Sequence, residues 1–327
     1  MSQHLQQRII KAKTTFPVMA VFALLLWCLG VEWPLDADVV LSGWWGTLAA
    51  PMWAVEGANM LLCLIALYMM AELNSAYSLV GRRTMLHGLF FLLMWVAAPW
   101  VSHCVEANLL LCFLLATVGN LFDGYQQRHG VGALFGLSAF VGLGSLLCPP
   151  VLLLVPLLYV SAWFFQSLSV RSFLAGLMGL LWPYWVLFVF AFCADRMELF
   201  ATFFSTFLPP FFSGYTHVPF LAWVLWGSSL LLSAGSLGFV LYRYGRYKIR
   251  TRLFLAFLLW WTFLVALLWI VAPSVGKLLS PLLFASVGLL AGHLFSFTRT
   301  RASNICFLGV LVWLVMLSVY SCVWMRW

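Results

Sequence analysis

Charge is what this chain has least of. Only 8% of its 327 residues are Asp, Glu, Lys or Arg, against about 25% in an ordinary soluble domain, while 65% are apolar. A water-facing surface so poor in charge would aggregate, which excludes a soluble enzyme, a nucleic-acid-binding domain and a disordered chain. Motifs are scarce as well. No C-x-x-C pair occurs among the eight cysteines, so neither a zinc ribbon nor a redox pair is present. The phosphate-binding G-x-x-x-x-G-K-[ST], the metalloprotease H-E-x-x-H and the hydrolase G-x-S-x-G are missing, and no G-x-G-x-x-G has strand context. ATP-driven transport, nicotinamide chemistry and standard hydrolase chemistry thereby lose their usual support.

What remains is a series of long apolar runs. A helix needs about 20 mainly apolar residues to cross the hydrocarbon core, because lipid leaves backbone groups no other partner. The pattern predicts an all-α polytopic bundle of about 11 helices (9–11), at roughly 15–33, 53–75, 85–102, 106–122, 131–147, 149–166, 172–193, 218–242, 253–273, 278–297 and 303–325. The first is read as retained, since Glu32-Trp33-Pro34 follows it and not a small-residue cleavage site. The pairs 85–122 and 131–166 have such tight turns, at His103–Val105 and at Cys148-Pro149-Pro150, that each is read either as two spans or as a re-entrant hairpin. One membrane domain over 1–327 is expected.

Lys and Arg collect in cytoplasmic loops. An inside N-terminus puts 14 of the 17 basic residues inside, and only Arg196, Lys277 and Arg326 outside. The acids run the other way, with Glu72 and Asp123 alone inside. The N-terminus is therefore expected to be cytoplasmic and the C-terminus outside. The pI near 9.2 reflects this sidedness and not an affinity for nucleic acid. The inner run from Arg243 to Arg252 reads as a topology signal meeting anionic headgroups. Ser228, Ser229, Ser233 and Ser236 read as small packing residues, and the cysteines as small apolar ones, with an outer disulfide left open among Cys104, Cys148, Cys193 and Cys322.

Two outer segments exceed simple turns. Residues 34–52 hold Asp36, Asp38, Trp44 and Trp45 and are expected as a helix lying on the outer surface; 194–217 join Asp195, Arg196 and Glu198 to a phenylalanine-rich shelf. Charged residues deep in the bilayer would mark an ion path; Glu56, Glu72 and His293 come nearest, all within about two turns of an interface. The unusual feature is an outer cluster of Glu32, Asp36, Asp38 and Glu106 with His103, Arg196, His217 and Lys277.

Acids directly after the first helix, followed by a segment along the membrane surface, resemble the GT-C superfamily of membrane glycosyltransferases. That resemblance, confined to the first third of the chain, implies a polyprenyl-phosphate-linked sugar as donor. It also implies Asp36, Asp38 and Glu106 as catalytic acids and a divalent cation as the cofactor such a site could take. Glu32, His103, Arg196, His217 and Lys277 would bind substrate. The chain departs from the superfamily in having no adjacent acid pair and no D-x-D in its second outer loop. A stretch from Ala133 through Pro150 to Pro183 resembles an uncharacterised family of bacterial multi-pass inner-membrane proteins, which implies that membrane as the location. A lipid or solute transporter and a non-catalytic scaffold of an envelope complex are the alternatives. Membrane lipids are the expected partners; protein partners are left open.

Overall fold

The computed structural model describes residues 15–30, 38–43, 46–77, 79, 84–127, 130–195, 197–198, 200, 215, 218–298 and 300–324. These form α1 (Thr15–Gly30), a hairpin of β1 (Asp38–Gly43) and β2 (Gly46–Pro51), α2 (Met52–Tyr77), α3 (Leu86–Val96), α4 (Pro99–Ser102), α5 (Val105–Asp123) and α6 (Val131–Leu147). After a 3-10 turn at Pro149–Leu154 come α7 (Val155–Phe164), α8 (Val170–Cys193), α9 (Phe220–Arg243), α10 (Ile249–Val271), α11 (Pro273–Phe297) and α12 (Arg301–Trp324). The protein is thus a helical membrane bundle. Among the described residues, seven helices are long and apolar enough to cross a membrane, and four shorter apolar helices accompany them.

Two expectations need correction. Where a surface helix is expected over 34–52, the described residues 38–43 and 46–51 instead pair as antiparallel strands, in register from Asp38 opposite Pro51 to Gly43 opposite Gly46. Val39 and Val40 are β-branched and favour the strand. The single helix expected over 85–102 is broken. Ala98, preceding Pro99, takes φ −118° and ψ 82°, because the proline ring crowds the residue before it out of the helical region. Pro99 then starts α4, where a missing N–H costs nothing. The same device opens α11, with Ala272 extended before Pro273.

Successive helices alternate in direction. Down α2 and α5 in parallel, Asn59 meets Asn108, and Tyr77 reaches Gly119 and Asp123. Between them α3 runs antiparallel to α11: a side chain at Gly288 would touch the His87 carbonyl, and one at Gly292 the His87 backbone nitrogen. After α6 and α7, the Phe165 carbonyl accepts the Gln126 N–H at 2.9 Å, closing the chain where α5 ended. Both tight pairs therefore run the height of the bundle and back. α6 and α8 lie parallel, with Gly142 against Leu180 and Pro183, and Gly179 against Phe135 and Ala139. Small residues let membrane helices approach this closely.

The alternation sorts the turns into two ends. At one, which we call the basic end, Arg250 lies over the rings of Tyr77, Tyr125 and Phe254 at 5.4–5.7 Å, and His293 bonds the Leu79 carbonyl and the Tyr247 hydroxyl. Burial raises the Tyr247 phenol above its ordinary pKa, so it is neutral there. The other end carries His103. Every residue of α3 is buried, and α11 is nearly so, making this pair the axis of one continuous apolar core. Ser228, Ser229, Ser233 and Ser236 bond carbonyls of their own helix. All eight cysteines are free.

Candidate functional site

The polar side chains at the His103 end come from five segments. Glu56 and Asn59 stand three residues apart on the opening turns of α2, so they share a face. His103 occupies the turn between α4 and α5, Asn108 the first turns of α5, Trp95 the last turn of α3 and Trp27 the last turn of α1. His103 Nδ1 lies 2.9 Å from Glu56 Oε2, with side chains only 20% and 8% exposed. Trp27 stacks on His103 with ring centres 5.9 Å apart and on Trp95 at 6.0 Å.

A second chain of bonds runs beside the first. Indole N–H can only donate, so Trp95 Nε1, 2.8 Å away, fixes the Asn108 amide with its oxygen towards the indole. Asn108 Nδ2 then faces the Asn59 oxygen at 3.0 Å and the carbonyls of Val101 and Cys104 at 3.2 and 3.0 Å. That direction leaves Asn59 Nδ2 at the end of the chain, buried and without an acceptor; Trp27 Nε1 is in the same condition.

The chemistry follows from the tautomer. With a carboxylate at Glu56 and a neutral ring at His103, Nδ1 donates, the carboxylate accepts, and the imidazole lone pair lies on Nε2. Carboxylate, imidazole and a free basic nitrogen form the unit that activates hydroxyl nucleophiles on unrelated folds.

Of the residues expected from sequence, His103, Glu106 and Lys277 fall together. Glu106 is half-buried in the first turn of α5 and Lys277 exposed in the second turn of α11, and both act electrostatically on the Cys104 thiol beside His103. Burial raises that thiol above its ordinary pKa, which leaves it protonated and unreactive. Glu32, Asp36, Arg196 and His217 lie outside the described residues, and of Asp38 only the backbone is described, in the hairpin that leads into α2. Sequence reading placed Glu56 at the rim without a task and passed over Asn59, Asn108 and Trp95. The signal available was the i, i+3 polar pair Glu56 and Asn59 in an otherwise apolar stretch.

No three His, Cys, Asp or Glu side chains among the described residues are grouped to hold a metal ion. The middle of the bundle, from Leu89 to Met94 on α3 and Leu282 to Ala291 on α11, is buried and, Ser286 apart, without polar side chains. No protein family, curated protein or solved structure matches the chain.

Proposed function

We propose that the protein is a glycosyltransferase of the bacterial cytoplasmic (inner) membrane. It moves a sugar from a polyprenyl phosphate to a hydroxyl acceptor on the outer face, in the manner of the GT-C enzymes. The observation that carries the reading is the half-buried Glu56–His103 pair, which turns Nδ1 to the carboxylate and leaves the other ring nitrogen to take a proton from the acceptor. In the proposed step the acceptor oxygen attacks the anomeric carbon, and its proton passes to His103 Nε2. The bond from that carbon to the phosphate oxygen breaks, and its electron pair leaves on the lipid phosphate. Glu56 holds the ring and stabilises the imidazolium. Lys277, with Arg196 and His217 from the neighbouring segment, supplies positive charge for the leaving phosphate. Asp36, Asp38 and Glu106 are left to bind the acceptor or a divalent cation. The apolar middle of the bundle weighs against a transporter, which would need a polar path.

The test is transfer from radiolabelled polyprenyl-phosphate sugars by the full chain in nanodiscs. General base catalysis contributes typically 10²–10⁴-fold, so His103→Ala is expected to lower turnover at least about 100-fold while the protein stays folded. Glu56→Gln, which still accepts from Nδ1–H but lacks the charge, is expected to fall between. Full turnover in His103→Ala, or no product from any donor, would overturn the assignment. A scaffold would show the opposite pattern, with both variants altering stability and neither altering a transfer rate.

A further inference from the structure

A groove between α9 and α10 takes no part in that site. The two helices are pinned together at the His103 end, where Trp223 meets Trp269 edge-on at 5.0 Å and Trp226 stacks on Trp269 at 5.4 Å. Towards the basic end the facing side chains shrink to Ser233, Ala234 and Ala256, and the helices leave an open cleft of about 640 Å³ walled by Leu237 and Trp260. That volume lies in the ordinary range of small-molecule sites, roughly 300–1,000 Å³. Its lining runs along α9 from Leu230 to Tyr244 just past the helix end, about 21 Å at 1.5 Å per residue. Half of a hydrocarbon core is about 15 Å. The cleft is therefore long enough for one leaflet's acyl chain.

Its mouth is charged. Arg252 lines the basic end, its guanidinium 5.0 Å from the ring centre of Tyr244. Arg243, Arg246, Lys248 and Arg250 lie within ten residues of it in sequence. Among the described residues no carboxylate forms a salt bridge with any of the five, and the Asp123 carboxylate at this end accepts the Tyr77 hydroxyl. An apolar slot with a cation at its mouth that no described carboxylate bridges matches a phosphate on a hydrocarbon tail. We infer that the groove binds one anionic phospholipid, with an acyl chain over Ser233, Ala234 and Ala256 and the phosphate on Arg252.

The experiment is native mass spectrometry of the delipidated full chain, titrated separately with phosphatidylglycerol, phosphatidylcholine and inorganic phosphate. One basic side chain at a headgroup is worth about 1 kcal/mol, so phosphatidylglycerol is expected to be retained about fivefold over phosphatidylcholine. Arg252→Ala should erase the preference and Arg252→Lys keep it. Arg171→Ala, an exposed arginine on α8, should leave it unchanged. Should Arg252→Ala fail to fold, Ala234→Leu with Ala256→Leu tests the slot alone by filling it, and should weaken both lipids. Equal retention of the two lipids, an equal loss in Arg171→Ala, undiminished binding in the filled variant, or displacement of the lipid by inorganic phosphate would each overturn the inference.

Discussion

Replacing Asn108 by alanine is expected to cost about 3 kcal/mol of stability, whereas Asn59→Ala should cost less than about 1 kcal/mol. The two amides sit side by side, and the difference lies in what each leaves behind. Without Asn108, the Trp95 N–H loses its acceptor and the Asn59 oxygen its donor, and a buried orphan costs about 1–3 kcal/mol. The carbonyls of Val101 and Cys104 are spared, since each also accepts a backbone N–H. Without Asn59, Asn108 Nδ2 still reaches those two carbonyls, and the variant also removes an Nδ2 that has no acceptor to begin with. Hydrogen bonds between membrane helices average only about 0.6 kcal/mol, so the lost bond alone is a small term. Unfolding in mixed micelles followed by tryptophan fluorescence separates the two outcomes, and equal losses would refute the bond directions.

The helices were legible because each is a local pattern: an apolar run of sufficient length, stopped by Gly, Pro or charge. The break at Ala98 was concealed by an uninterrupted run of apolar letters, although Pro99 enforces it. The hairpin at 38–51 was misread because aromatic and acidic letters fit an interfacial helix as well as a strand, and only the pairing partner at 46–51 decides between them. The site was legible in part. His103 and Glu106 follow one turn of sequence, but Glu56 meets His103 across 47 positions and Asn59 meets Asn108 across 49. Those contacts exist because α2 and α5 run parallel in touch with each other, and no single segment encodes that. The acids that stand out in the sequence follow the first helix into water, yet the carboxylate that meets His103 is Glu56, which the bundle buries.

The seam between α6 and α8 carries the other large effect. A methyl group at Gly179 would fall inside contact distance of the Phe135 carbonyl and 3.2 Å from the Ala139 nitrogen, and one at Gly142 would lie 2.9 Å from the Leu180 carbonyl. All three obstacles are backbone, so no rotamer change relieves them and a whole helix must move. Overpacking typically costs about 1–3 kcal/mol, and Gly179→Ala is expected near the top of that range. Gly179→Leu should separate the pair outright. α8 has little else to hold it: Ser138 and Tyr159 face Gly176, Ser145 bonds Tyr184 at 2.5 Å, and the rest of the helix mostly faces outward. Gly309→Ala on α12 is the control, because a methyl there meets nothing within 4 Å. Alanine is also the better helix former by about 1 kcal/mol, so this variant should be neutral or more stable. Thermal melting in detergent, with limited proteolysis of the segments flanking α8, reads both. If Gly179→Ala and Gly309→Ala melt alike, the two helices do not approach as closely as the small residues between them permit.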